Sequence, residues 1–166
     1  MTAEARERIE IALNVNGSGV RRTVPARQHL VDFLREALGL TGSHLGCEHG
    51  ICGACTVRLN GEIVRGCLVL AVQADGGEVQ TIEGLAGDAH VGALQHAFHE
   101  RNAAQCGYCT PGMLIAAAEL VGRNPAADRA AIRAHIAGNY CRCTGYHAIV
   151  DAIAAVCRER SDTRSA

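Results

Sequence analysis

Residues 47–55 read Cys47-Glu48-His49-Gly50-Ile51-Cys52-Gly53-Ala54-Cys55, a C-x4-C-x2-C loop. A further thiol, Cys67, lies beyond the next pair of strand-like runs. Three thiols on one loop and a fourth from the segment after it suit two bridged irons, because each iron takes two protein sulfurs to complete a tetrahedron. Gly46, Gly50 and Gly53 predict a loop that adopts positive φ and turns backbone N–H groups toward anionic sulfur. Outward from this loop the chain reads as short strands. Thr56–Leu59, the Asn60-Gly61 turn and Glu62–Arg65 predict a hairpin. Ile9–Val15 alternates large apolar residues at the period of a half-buried strand, and Asn16–Gly19 turns it into a partner at Val20–Val24. Leu30, Phe33, Leu34, Ala37 and Leu38 fall at helical spacing, with Gly39 as the stop. Cys67–Val72 and Glu78–Ile82 are expected as further strands around Asp75-Gly76-Gly77. The expected product is a small mixed sheet carrying one helix.

The pattern changes near residues 83–88. Val91–Ala104 is helical in composition. Thr110-Pro111 reads as an N-cap followed by proline, opening a helix through Val121. Asn124-Pro125 repeats that signal for a helix to about residue 137, and His147–Arg158 makes a fourth. Four helices with short connections predict a bundle. We therefore expect an α+β chain of two units, residues 1–84 and 85–166. The helical unit has its own thiols: Cys106-Gly107-Tyr108-Cys109 and, after 31 intervening residues, Cys141-Arg142-Cys143. Each pair immediately precedes a helix start, where unsatisfied amides and the dipole end favour negative charge.

Composition narrows the classes. The chain has 166 residues, 48% of them hydrophobic and only 3% aromatic, which is enough aliphatic residue for a packed core. Lys+Arg 16 against Asp+Glu 17 gives a net charge of -1, so there is no broad basic footprint for nucleic acid or anionic membrane. Nine cysteines are an odd number, which argues against a simple disulfide framework. Residues 1–10 hold five charged side chains and no apolar run, unlike a secretory signal. Arg21-Arg22 leads into a polar segment rather than a translocation signal, and no run is long enough to cross a bilayer. A cytoplasmic location is expected, where clustered thiols are metal ligands rather than bridges.

Other thiol chemistries fit less well. A zinc ribbon more often pairs C-x2-C with C-x2-C over a shorter gap. A thioredoxin-like pair needs a βαβ context that is absent. Haem attachment needs C-x-x-C-H, but Thr56 and Thr110 stand at the histidine position. A Rieske site needs C-x-x-H where Cys55 stands. His49 and His44 read as loop hydrogen-bonders, and Cys157, the ninth thiol, as a buried structural residue on the last helix.

The strings CEHGICGACT (47–56), QCGYCTPG (105–112) and GNYCRCTGY (138–146) closely resemble the iron–sulfur subunit of the molybdenum hydroxylases, the xanthine dehydrogenase and aldehyde oxidase family. The resemblance runs from about Ile9 to Val156. It implies a ferredoxin-like β-grasp unit with one [2Fe-2S] cluster on Cys47, Cys52, Cys55 and Cys67. A four-helix unit with a second [2Fe-2S] cluster on Cys106, Cys109, Cys141 and Cys143 follows. It further implies a large partner subunit carrying a molybdopterin cofactor and a medium one carrying FAD, assembled as a dimer of heterotrimers. By the same resemblance Gln105 reaches the pterin, the helical-unit cluster is nearest to it, and electrons pass one at a time through the other cluster toward flavin. No substrate site is expected on this chain. Two other readings stay open at this level: a free two-cluster carrier and an iron–sulfur regulatory module.

Overall fold

The computed structural model describes residues 7–165, and the side chains of residues 7–161. The reading of residues 1–6 as charged and signal-free lies outside the described residues.

The strands are β1 (Arg8–Val15), β2 (Ser18–Pro25), β3 (Thr56–Leu59), β4 (Glu62–Arg65) and β5 (Glu78–Gln80). They form one mixed sheet of order β2-β1-β5-β3-β4. Asn16 and Gly17 take φ 53° and 82°, and Asn60 and Gly61 take 52° and 85°. That left-handed pair matches the twist of the flanking strands, so both hairpins form where the turn residues allow them. The hairpin registers are Val15 opposite Ser18 and Leu59 opposite Glu62. Alternation then puts Ile11, Leu13 and Val15 into the core, while Ile9 remains exposed at the strand's start.

The first helix is shorter than its apolar spacing predicts. An α turn, α1 (Leu30–Asp32), runs directly into a π-helical turn over Phe33–Ala37. Leu30, Val31, Phe33 and Leu34 are all fully buried, and Gly39 ends the segment at φ 70°. The expected strand Cys67–Val72 does not form. Its backbone is spent on α1 instead: Leu30 N–H donates to Val69 O and Ala71 N–H to Gln28 O, leaving one bridge at Leu70 and a 3-10 turn over Ala71–Ala74. β5 likewise stops at Gln80 rather than Ile82.

Four helices follow: α2 (Ala89–Glu100), α3 (Thr110–Arg123), α4 (Arg129–Ile136) and α5 (His147–Ser165). Two start signals shift. Cys109, not Thr110, is the N-cap of α3. Asn124 closes α3 through its N–H to Leu120 O, and Asp128 caps α4 by accepting from Ala131 N–H at 2.8 Å. The helices share a core that includes Leu94, Met113, Ile115, Ile132, Ile149 and Ile153. Cys157 is buried there at 3% exposure, and burial raises its thiol pKa. Among the described residues no helix is long and apolar enough to cross a membrane.

Asp88 ties the sheet to the bundle. Its Oδ1 accepts from His90 and Val91 N–H, capping α2, and its Oδ2 faces Arg58 on β3 at 3.2 Å. Partial burial raises its pKa, but those amides and the guanidinium outweigh it and hold the carboxyl below the usual aspartate range. The carboxylate therefore stabilises the fold above the unfolded-state pKa, and this contribution is lost as pH falls through the lowered native value. Asp88→Ala is expected to cost about 1 kcal/mol, the ordinary worth of an N-cap. Denaturant midpoints taken across the acid range would show the variant's deficit shrinking toward low pH.

Candidate metal centres

The loop from Thr41 to Cys55 is held by its glycines and by its own thiol. Glu48, Gly50 and Gly53 take φ 58°, 74° and 75°. Gly46 does not take positive φ; its requirement is space, since a Cβ there would lie 3.1 Å from Cys52 Sγ. The turn directs the N–H groups of His49 and Cys52 at Cys47 Sγ, each at 3.4 Å. Those two donors lower the Cys47 pKa to about 6. His49 Nδ1 also bonds Cys47 O, as expected of a loop hydrogen-bonder. On the inner side of the loop, Cys55 and Cys67 are buried against Val31 and Leu45. Burial pushes the Cys55 thiol up to about 12. Cys47 lies beside Cys52, Cys55 beside Cys67, and Cys55 also feels the charge of Cys52.

The second set forms between helix ends. Cys109 caps α3, and Cys141 and Cys143 lie just before α5. Cys106 and Cys143 are exposed, with their sulfurs 3.5 Å apart. Cys109 and Cys141 are half-buried and face each other, and burial pushes Cys109 up to about 12. Burial also raises the Cys141 pKa, but hydrogen bonds led by the Thr144 hydroxyl, 3.1 Å away, outweigh it and leave the thiol lowered. Gln105 is exposed, next to Cys106 in the chain.

Eight thiols thus gather in two groups of four, each made of two facing pairs. Pairs at two ends are the donor set of a bridged diiron unit, whereas a lone tetrahedral ion draws four ligands to one point. The residues therefore suit [2Fe-2S] clusters.

Sequence reading had His44 as a loop hydrogen-bonder, which it is, but missed the other residues that join the two groups. His44 and Tyr108 stack with ring centroids 4.4 Å apart, at an interplanar angle of 16°. His44 Nδ1 meets Tyr108 O at 2.7 Å, and Tyr108 O–H donates to Leu45 O at 2.9 Å. A carbonyl can only accept, so Nδ1 carries the hydrogen. Tyr140 N–H donates to Cys52 O at 2.8 Å. Arg65 and Asn139 make a further junction across 74 positions of sequence. Tyr108 and Asn139 stand inside the cysteine strings, whereas Arg65 looks like any strand arginine.

Comparison with known proteins agrees with this geometry. Residues 13–86 match the family described as 2Fe-2S iron-sulfur cluster binding domain, and residues 81–154 match the [2Fe-2S] binding domain family. The chain is 51% identical over 149 residues to caffeine dehydrogenase subunit gamma of Pseudomonas sp. (strain CBB1), covering 88% of this chain and 89% of that one. It is 46% identical to the nicotine 6-hydroxylase small subunit of Paenarthrobacter nicotinovorans, covering 92% of each. A chain of the crystal structure of quinoline 2-oxidoreductase from Pseudomonas putida 86 superimposes with a TM-score of 0.86 at 44% identity, covering 93% of this chain and 97% of that chain. With two cysteine groups shaped for bridged iron and relatives matched over nearly their whole length, this chain belongs to the small iron–sulfur subunits of the molybdenum hydroxylases.

Proposed function

We propose that this chain carries electrons, one at a time, from a molybdopterin centre on a large partner subunit to FAD on a medium subunit. Cys47, Cys52, Cys55 and Cys67 hold one [2Fe-2S] cluster in the unit spanning residues 1–84. Cys106, Cys109, Cys141 and Cys143 hold the other in residues 85–166, a division supported by the two family matches meeting at residues 81–86. The observation that carries the reading is the gathering of eight thiols into two paired quartets whose loops touch through Tyr140 N–H and Cys52 O. A chain with two such centres side by side is a relay. The exposed edge of the second quartet, Cys106 and Cys143 with Gln105 beside them, faces the pterin. The first quartet, flanked by exposed Ile51 and Leu68, faces the flavin subunit. Named relatives act on caffeine and nicotine, which supports an N-heteroaromatic substrate for the assembled enzyme. The assembly is a dimer of heterotrimers in the cytoplasm.

Metal analysis with EPR of the dithionite-reduced protein tests the assignment. Two irons from each unit make four per chain, with two distinguishable signals. Zinc without those signals overturns it. Co-purification with large and medium subunits is expected, and a lone chain active as a carrier would contradict the relay.

Thr144→Val removes an O–H donor from Cys141 Sγ. Hydrogen bonds to cluster sulfurs favour the more negative, reduced state. A loss of about 1 kcal/mol of that preference corresponds to a drop of about 40 mV for one electron. Redox titration followed by EPR would show the helical-unit signal shifted downward and the other unmoved.

A further inference from the structure

One buried side chain makes several of the contacts at the junction between the two cysteine groups. Asn139, 2% exposed, stands two residues before Cys141. Its Nδ2 donates to Gly53 O at 3.1 Å and reaches Thr56 Oγ1 at 3.4 Å. It thereby grips the loop between Cys52 and Cys55 from 86 positions away. Its Oδ1 accepts from Arg65 Nη2 at 3.2 Å, and the same nitrogen donates to Gly138 O at 2.9 Å. Arg65 Nη1 also donates to Thr56 Oγ1, and Arg65 stands two residues before Cys67. The Asn139 backbone O accepts from Tyr146 O–H at 3.3 Å, and that phenol oxygen accepts from Cys141 N–H at 2.8 Å. The network therefore touches the segments bearing Cys52, Cys55, Cys67 and Cys141, and its side-chain members, Asn139, Arg65, Thr56 and Tyr146, supply no sulfur.

Sterics keep the same junction close. A Cβ on Gly112 would lie 2.3 Å from Gly53 O, so the first turn of α3 packs directly on the first cysteine loop. In this buried contact a satisfied amide is rigidly held, and deleting it removes the one donor that reaches Gly53 O from the helical unit, leaving Thr56 N–H and O–H on that carbonyl, and leaves Arg65 Nη2 with Gly138 O alone.

We infer that Asn139, held by Arg65, is a positioning residue that sets the separation and orientation of the two cysteine quartets, and with them the rate of electron transfer between the clusters. The inference rests on the function proposed above. In the step it governs, the cluster on Cys106, Cys109, Cys141 and Cys143 is oxidised by one electron and the cluster on Cys47, Cys52, Cys55 and Cys67 is reduced by one. No bond forms or breaks and no proton moves. Tunnelling falls off exponentially with distance, so a small slip between the loops registers as a rate.

The test uses the assembled complex carrying Asn139→Ala. Iron content, the magnetic splitting between the two reduced centres in low-temperature EPR, and the inter-cluster transfer rate after flash photoreduction are read together. Full iron content with an altered splitting and several-fold slower transfer is expected. Arg65→Met should reproduce that change, while Asn139→Asp should fail to restore the wild-type splitting, because it keeps the acceptor for Arg65 but has no N–H for Gly53 O. Wild-type splitting and rate in iron-replete Asn139→Ala would overturn the inference. Should that variant lose iron or fail to fold, Arg65→Lys decides: an altered splitting supports the inference and a wild-type one overturns it. Failure of the functional reading is separate, since it would appear as missing cluster signals in the unmodified complex.

Discussion

Cys141→Ser is expected to leave the assembled complex with two irons per chain instead of four and with one EPR signal instead of two. Cys141 is half-buried, its sulfur faces Cys109 and accepts from Thr144 O–H, and its N–H is fixed by Tyr146. Those constraints put a soft thiolate at a set place. A serine hydroxyl there is a harder, far less acidic donor that binds iron poorly at neutral pH. Because the remaining three thiols cannot complete two tetrahedra, the whole helical-unit cluster goes rather than one bond. Cys55, buried in a separate group with Cys67, should keep its cluster. Substrate should still bind the large subunit and reduce the molybdenum centre once, while turnover with the terminal acceptor falls to background. Iron analysis and steady-state assays check both halves, and normal turnover would contradict the relay order.

Gly53→Ala carries a large expected stability effect, because it adds backbone strain to a steric clash. Gly53 takes φ 75°, where an L side chain costs about 1–2 kcal/mol. Its Cβ would lie 2.5 Å from Gly138 O and 2.6 Å from Asn139 Nδ2. Backbone on one side and a fully bonded amide on the other leave nothing flexible to yield, which adds about 1–3 kcal/mol of overpacking. A total near 3 kcal/mol follows, expressed as lower denaturation midpoints and faster loss of iron. Gly61→Ala is the matched control. Its φ is 85° with nothing within 4 Å of the new methyl, so only the backbone strain remains. Equal losses in the two variants would show that the junction is looser than the packing at Gly53 indicates.

Local physics made much of this molecule legible. Asn-Gly dipeptides between alternating runs placed both hairpins, because left-handed φ at those turn residues suits few other side chains. The four helices followed from spacing and composition. Their starts were less legible: Asp128 caps α4 where Asn124-Pro125 read as the start signal, and α2 opens at Ala89 behind its cap Asp88, two residues before the expected Val91. Cys67–Val72 has strand-like composition, but its amides and carbonyls find partners on the start of α1, which no local pattern reveals.

From its residues alone, the chain's cysteine spacing pointed to the class of cofactor, because ligand chemistry depends on residue type and on a few positions of local loop, while the family came from the resemblance of its three cysteine strings to known iron–sulfur subunits. Tertiary structure alone decided how the two groups face each other. Arg65, Asn139 and the glycine contacts join segments far apart in sequence, and such pairings depend on how the sheet and the bundle dock. Relative placement is the property a relay depends on, and it is written in those contacts rather than in the cysteine strings.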